Sequence, residues 1–112
     1  MPAAEQYSDL TVTAETASLV ASGEVDLATA DRLVAVARRA LDEGTSGTAF
    51  GLDPFVLDLG AVTFMDCAGL TALLAIKASA SDYRRAFVIS NAPECVLRIL
   101  SITGLDRALE LC

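Results

Sequence analysis

A chain of 112 residues suffices for one domain with a single core, without help from metals or disulfides. It is 54% hydrophobic but only 5% aromatic, so Ala, Val, Leu and Ile must fill that core, as suits helices packed on a buried sheet. The net charge of −7 argues against nucleic acid, and the absence of histidine removes Ser-His-Asp and Cys-His nucleophile pairs and His-ligated metals.

Residues 1–9 are small and polar and are expected to form a flexible N-terminus ahead of a domain spanning 10–112. Leu10–Ala14 alternates apolar and β-branched residues as a half-buried strand does, Glu15-Thr16-Ala17 reads as a turn, and Ser18–Val25 completes a hairpin. Asp26 then caps a first helix, with Thr29 as the competing choice. Leu33, Val36, Ala37, Ala40 and Leu41 recur at the spacing of an amphipathic stripe, with Arg32, Arg38, Arg39 and Asp42 on the other side.

Glu43–Pro54 holds three glycines and a proline and reads as a loop, longer than the ~4–6 residues usual in compact domains. Phe55–Leu59 is apolar but for Asp58, as a central strand would be, and Gly60-Ala61-Val62-Thr63 is expected to bend the chain. Asp66 or Cys67 begins a second helix with Leu70, Leu73, Leu74 and Lys77 on one face, widened by Ile76 and Ala80, ending near Ser81-Asp82. Ala86–Ser90 is a fourth strand, and Asn91-Ala92-Pro93 introduces a third helix with Pro93 in its first turn. Val96, Ile99 and Leu100 form its buried stripe, and Thr103-Gly104 ends it. Leu105–Cys112 is short enough to be a last edge strand.

Strands joined through helices imply parallel neighbours and right-handed crossovers. The expected fold is α/β: one small mixed four- to five-stranded sheet with helices mainly on one face. Parallel strands deliver their helices at one edge, so Asp66-Cys67 and Asn91-Ala92-Pro93 are expected side by side there. Asp66 offers a carboxylate cap, and Cys67 places a thiol beside free backbone N–H groups.

No apolar stretch approaches the ~20 residues of a membrane span, and no basic-then-apolar leader opens the chain, so a cytoplasmic protein is expected. Cys67, Cys95 and Cys112 form no CxxC pair and are odd in number, unlike a secreted disulfide framework. Without histidine no base is nominated for thiol catalysis, and the chain is read as a non-enzyme needing no metal or cofactor.

With these elements in place the sequence resembles a STAS domain, the fold of bacterial anti-sigma factor antagonists. The matching pieces are Gly23-Glu24-Val25-Asp26, Leu57-Asp58-Leu59 with Val62–Leu70, and Asn91-Ala92-Pro93 leading to Val96–Leu100 and Thr103-Gly104-Leu105. The resemblance implies a switch protein that binds an anti-sigma factor, itself a serine kinase with an ATP-binding fold, and so frees a sigma factor. It implies a partner surface at Asp26, Met65, Asp66, Cys67, Ala68, Gly69, Leu70 and Asn91. Where the family's pattern places a phosphoacceptor serine after the aspartate, this chain has Cys67 followed by Ala68.

Two readings of Cys67 stay open: a small helix-start residue in place of serine, or a redox-sensitive thiol pairing with Cys95 or Cys112. A docking subunit of a larger assembly, such as a lipid transporter or stress-signalling complex, is the alternative function. Oligomeric state is not specified by the sequence.

Overall fold

The hairpin read between Leu10 and Val25 is the start of a larger sheet. In the computed structural model, which describes residues 4–7, 10–14, 18–47 and 54–111, β2 (Leu10–Ala14) pairs antiparallel with β3 (Ser18–Val25). The turn expected at Glu15-Thr16-Ala17 lies outside the described residues. The N-terminal segment departs from expectation: Ala4–Tyr7 form β1, antiparallel to β2 with Tyr7 opposite Leu10. β1 pairs the N–H and C=O groups that β2 would otherwise leave open and becomes the edge strand itself.

β3 pairs in parallel with β4 (Phe55–Met65), β4 with β5 (Phe87–Ser90), and β5 with β6 (Glu110–Leu111). The six strands lie in sequence order across one mixed sheet, one more than the four or five expected, through the addition of β1.

β4 does not bend away at Gly60 but runs on to Met65. Its pairing with β3 slips twice, between Val20 and Ser22 and between Gly23 and Glu24, and each slip leaves one extra residue on β4. Side chains in a strand alternate faces, so an uncorrected extra residue would turn the apolar set outward. Here the buried residues are Phe55, Leu57 and Leu59, then Val62, then Met65. Each three-residue step coincides with a slip, so the bulges keep every apolar side chain on the core face. β3 matches it with buried Leu19, Ala21 and Val25, while Val20, Ser22 and Glu24 between them stay half-exposed.

The core side of the sheet carries the helices. α1 (Ala30–Gly47) buries Leu33, Val36, Ala37 and Leu41, as its periodicity requires. It continues to Gly47 rather than yielding to a loop at Glu43, since one glycine costs a helix only about 1 kcal/mol against alanine. Residues 48–53 of the expected loop lie outside the described residues. α2 (Cys67–Asp82) buries Leu70, Leu73, Ile76 and Ala80, while Lys77, placed on that face by the sequence, is exposed. Polar contacts tie α1 to the end of α2 as well, among them Arg38 Nε donating to Ser79 Oγ at 3.0 Å and the Tyr83 hydroxyl donating to Asp42 Oδ1 at 3.1 Å.

α3 (Glu94–Thr103) buries Val96 and Leu100 against the same core. Pro93 holds the capping position itself, its carbonyl accepting the N–H groups of Val96 and Leu97. Gly104 ends α3 in the left-handed conformation, φ 76°, and a 3-10 helix Leu105–Arg107 leads to β6. A Cβ at Gly104 would meet nothing within 4 Å, so conformation alone sets the cost of filling it. Gly104→Ala is expected to cost about 1 kcal/mol, read as a lower urea midpoint with unchanged slope.

Candidate partner-binding site

The parallel strands release the chain into α1, α2 and α3 at one side of the sheet. Because Val25 pairs with Met65, β3 and β4 end level, and the Asp66 N–H donates to the Val25 carbonyl at 3.2 Å. Asp26 and Asp66 therefore leave the sheet beside one another. Each carboxylate then caps the next turn of its own chain segment. Asp66, in extended backbone, accepts the N–H groups of Ala68 at 2.9 Å and Gly69 at 3.2 Å on Oδ1. That satisfies two of the N–H groups a helix start leaves unpaired.

Asp26 does the same one turn ahead of α1, with Oδ1 accepting from Ala28 at 3.0 Å and Thr29 at 3.2 Å. The competing choice also acts. Thr29 is buried, its hydroxyl accepting the Asp26 N–H at 3.0 Å and donating to the Glu24 carbonyl at 2.9 Å. Asp26 thus caps the turn before the helix, while Thr29 stands at the start of α1, its carbonyl accepting the Arg32 and Leu33 N–H groups and its hydroxyl tying the turn to the end of β3.

Cys67 is the first residue of α2, exposed and a free thiol. The nearest hydroxyl along α2 is Thr71, which donates to the Cys67 carbonyl at 3.1 Å. Ala68 is half-buried behind Cys67. Half-buried Asp26 and Asp66 thus start from adjacent strand ends, with exposed Cys67 and half-buried Ala68 directly after Asp66.

Three residues expected on the partner surface are corrected by burial. Met65, Gly69 and Leu70 face the core, with Met65 at 5% and Leu70 at 3% exposure, so they position the edge and do not present side chains to a partner. Gly69 has a specific reason to be glycine: a Cβ there would lie 2.5 Å from Met65 Cγ and 3.0 Å from the Val25 carbonyl oxygen.

Asn91 is also displaced from the expected cluster. The β4–β5 pairing ends at Asp58 opposite Ser90, so β5 stops well short of the end of β4. Asn91, at φ 54°, donates from Nδ2 to Asp58 Oδ2 at 3.1 Å, while Asp58 Oδ1 accepts the Gly60 N–H at 2.8 Å. Asp58 lies roughly 25 Å back along β4 from Asp66 at ~3.3 Å per residue. Asn91 locks the β5–α3 turn to β4, a structural task that its tolerance of left-handed backbone suits.

Cys95, half-buried in the first turn of α3, is also a free thiol, and its Sγ approaches the Val62 carbonyl at 3.9 Å. Cys112 lies outside the described residues. Among the described residues no three of Cys, Asp and Glu converge as a metal site requires, and no helix is long and apolar enough to cross a membrane.

Sequence pattern alone does not single out Leu27, which the structure leaves 83% exposed between Asp26 and α1. Leu27 and Ala68 also border a groove of about 630 Å³ between α1 and α2.

Three solved structures share this architecture. An anti-sigma factor antagonist from Mycobacterium paratuberculosis is 22% identical with a TM-score of 0.68, over 99% of this chain and 83% of that one. A putative anti-sigma factor antagonist from Thermotoga maritima is 21% identical with a TM-score of 0.67, over 89% and 82%. The anti-sigma factor antagonist SpoIIAA in its unphosphorylated form is 15% identical with a TM-score of 0.64, over 100% and 88%. At these identities the likeness establishes the fold. Residues 8–111 match the family described as Mlab, STAS domain, from the start of the β2 hairpin to the end of β6. By that match across nearly its whole length, and by the fold it shares, the chain belongs to the STAS domain family.

Proposed function

We propose that this protein is an anti-sigma factor antagonist that binds an anti-sigma factor of the serine-kinase type through the edge formed by Asp26, Leu27, Asp66, Cys67 and Ala68. The observation that carries the reading is the head of α2, where an exposed side chain comes directly after the capping Asp66. The three similar structures are themselves described as anti-sigma factor antagonists, one of them as putative. Titration calorimetry against the anti-sigma factors of the source organism tests it, and binding to none of them rejects it.

The side chain at that position is a thiol, so a serine kinase has no hydroxyl to modify there. Mass spectrometry after incubation with the partner kinase and ATP is expected to find no phosphate on Cys67. In Cys67→Ser the new hydroxyl is expected to be phosphorylated, adding about −1.5 to −2 charges at the edge and weakening the complex. A Cys67→Ser protein that stays unmodified would remove the kinase from the proposal. Redox control is the finer part of the reading, because the exposed thiol can be oxidised, whereas a disulfide to Cys95 or Cys112 requires the Cα atoms to come within ~7 Å. Equal affinity with and without reductant would reject that part alone.

A second reading, a docking subunit of a larger assembly, is favoured by the family description, which names Mlab rather than an antagonist. Copurification with membrane components, in place of an anti-sigma factor, would select it.

A further inference from the structure

We propose that the outer face of α1 and α2 is a self-association surface, and that its occupant is a second copy of this chain docked about a two-fold axis. The groove of about 630 Å³ between the helices is walled by two facing stripes, with Ala30, Val34 and Ala35 on α1 and Ala68, Ala72 and Ala75 on α2. Short side chains on both walls let another helix approach closely, toward the ~8 Å end of helix packing distances. Leu27 at the open end is 83% exposed, the largest exposure among the large apolar side chains described. A groove with an uncovered leucine at its mouth is an apolar surface lacking its cover.

Charge selects the occupant. Asp31 and Arg38 both line the groove. They lie roughly 10 Å apart along α1 at ~1.5 Å per residue, with Val34 and Ala35 midway between them. A two-fold axis over Val34-Ala35 runs the two α1 helices antiparallel and sets Asp31 of each copy opposite Arg38 of the other. The order acid, apolar centre, base reads the same when inverted, so a second copy supplies the complement by symmetry and forms each ion pair twice. Arg38 is held at the wall by its Nε bond to Ser79 Oγ. Ion pairs at an exposed groove rim contribute little each, so association is weak and concentration-dependent. This inference involves no other protein, but the groove shares Leu27 and Ala68 with the edge proposed for the anti-sigma factor, so the two occupants would compete there.

Sedimentation equilibrium of the full chain in reducing buffer tests it. The average mass is expected to rise with concentration from 11.7 kDa toward twice that value. Asp31→Arg and Arg38→Asp are each expected to weaken self-association about tenfold, and the double variant to restore it. Ala35→Glu, at an exposed position on the axis, is expected to abolish it, and carries the test if loss of the Ser79 contact unfolds Arg38→Asp. A protein that is monomeric across the range overturns the proposal and leaves the groove to a different protein. A dimer indifferent to Ala35→Glu, or a double variant that does not recover, overturns it as well.

Discussion

Gly69→Val is expected to destabilise the protein by about 1–3 kcal/mol, a fall in Tm of roughly 5–15 °C for a domain of this size. The cause is crowding at the point where α2 crosses the ends of β3 and β4. Of the two residues that a Cβ would meet, Met65, with Cγ at 2.5 Å, has a flexible side chain that can turn aside. The Val25 carbonyl oxygen at 3.0 Å cannot, because it is backbone and already accepts the Asp66 N–H. Any added carbon therefore pushes the head of α2 off the sheet and disturbs the Asp66 cap with it. Gly69→Ala is expected to lose less, since alanine regains about 1 kcal/mol of helix propensity over glycine. Thermal unfolding of the two variants checks this, and a valine protein as stable as the parent would show that α2 can slide away from Val25 without cost.

Cys67→Glu is expected to weaken binding to the anti-sigma factor by about tenfold or more, while folding stability stays the same or rises by about 0.3–1 kcal/mol. The two effects have opposite sign for one reason. A carboxylate at the first position of a helix meets the partial positive charge of the free N–H groups, which favours the folded chain. The same charge, exposed beside Asp26 and Asp66, must be desolvated and accommodated in any complex formed through this edge. Calorimetric titration alongside urea unfolding separates the two, which truncation of a buried residue could not do. Undiminished affinity in a stably folded Cys67→Glu protein would place the partner surface elsewhere.

The part of the candidate site written in adjacent residues is legible in the sequence. Asp66 reads as a cap because its carboxylate reaches N–H groups only two and three residues ahead, and Cys67 is recognised as the departure from the family pattern at the position after it. The exposure of Leu27 and the groove beside it are not legible, because they depend on how far α1 stands from α2. Nor is the role of Asn91, which is set by the point where the β4–β5 pairing ends.

By itself the sequence determined the identity and order of the helices and most strands, the faces of α1 and α3 that are buried, and the caps at Asp66 and Gly104. These depend on side-chain period and on hydrogen bonds spanning a few residues, which neighbouring positions encode directly. Tertiary structure alone decided that β4 runs to Met65 over two bulges, that Ala4–Tyr7 joins the sheet, that Met65 and Leu70 face inward, and that Asp26 rather than Asn91 stands beside Asp66. Each of these is a matter of register or packing between segments distant in the chain, and Val25 meets Met65 only once β3 and β4 are paired.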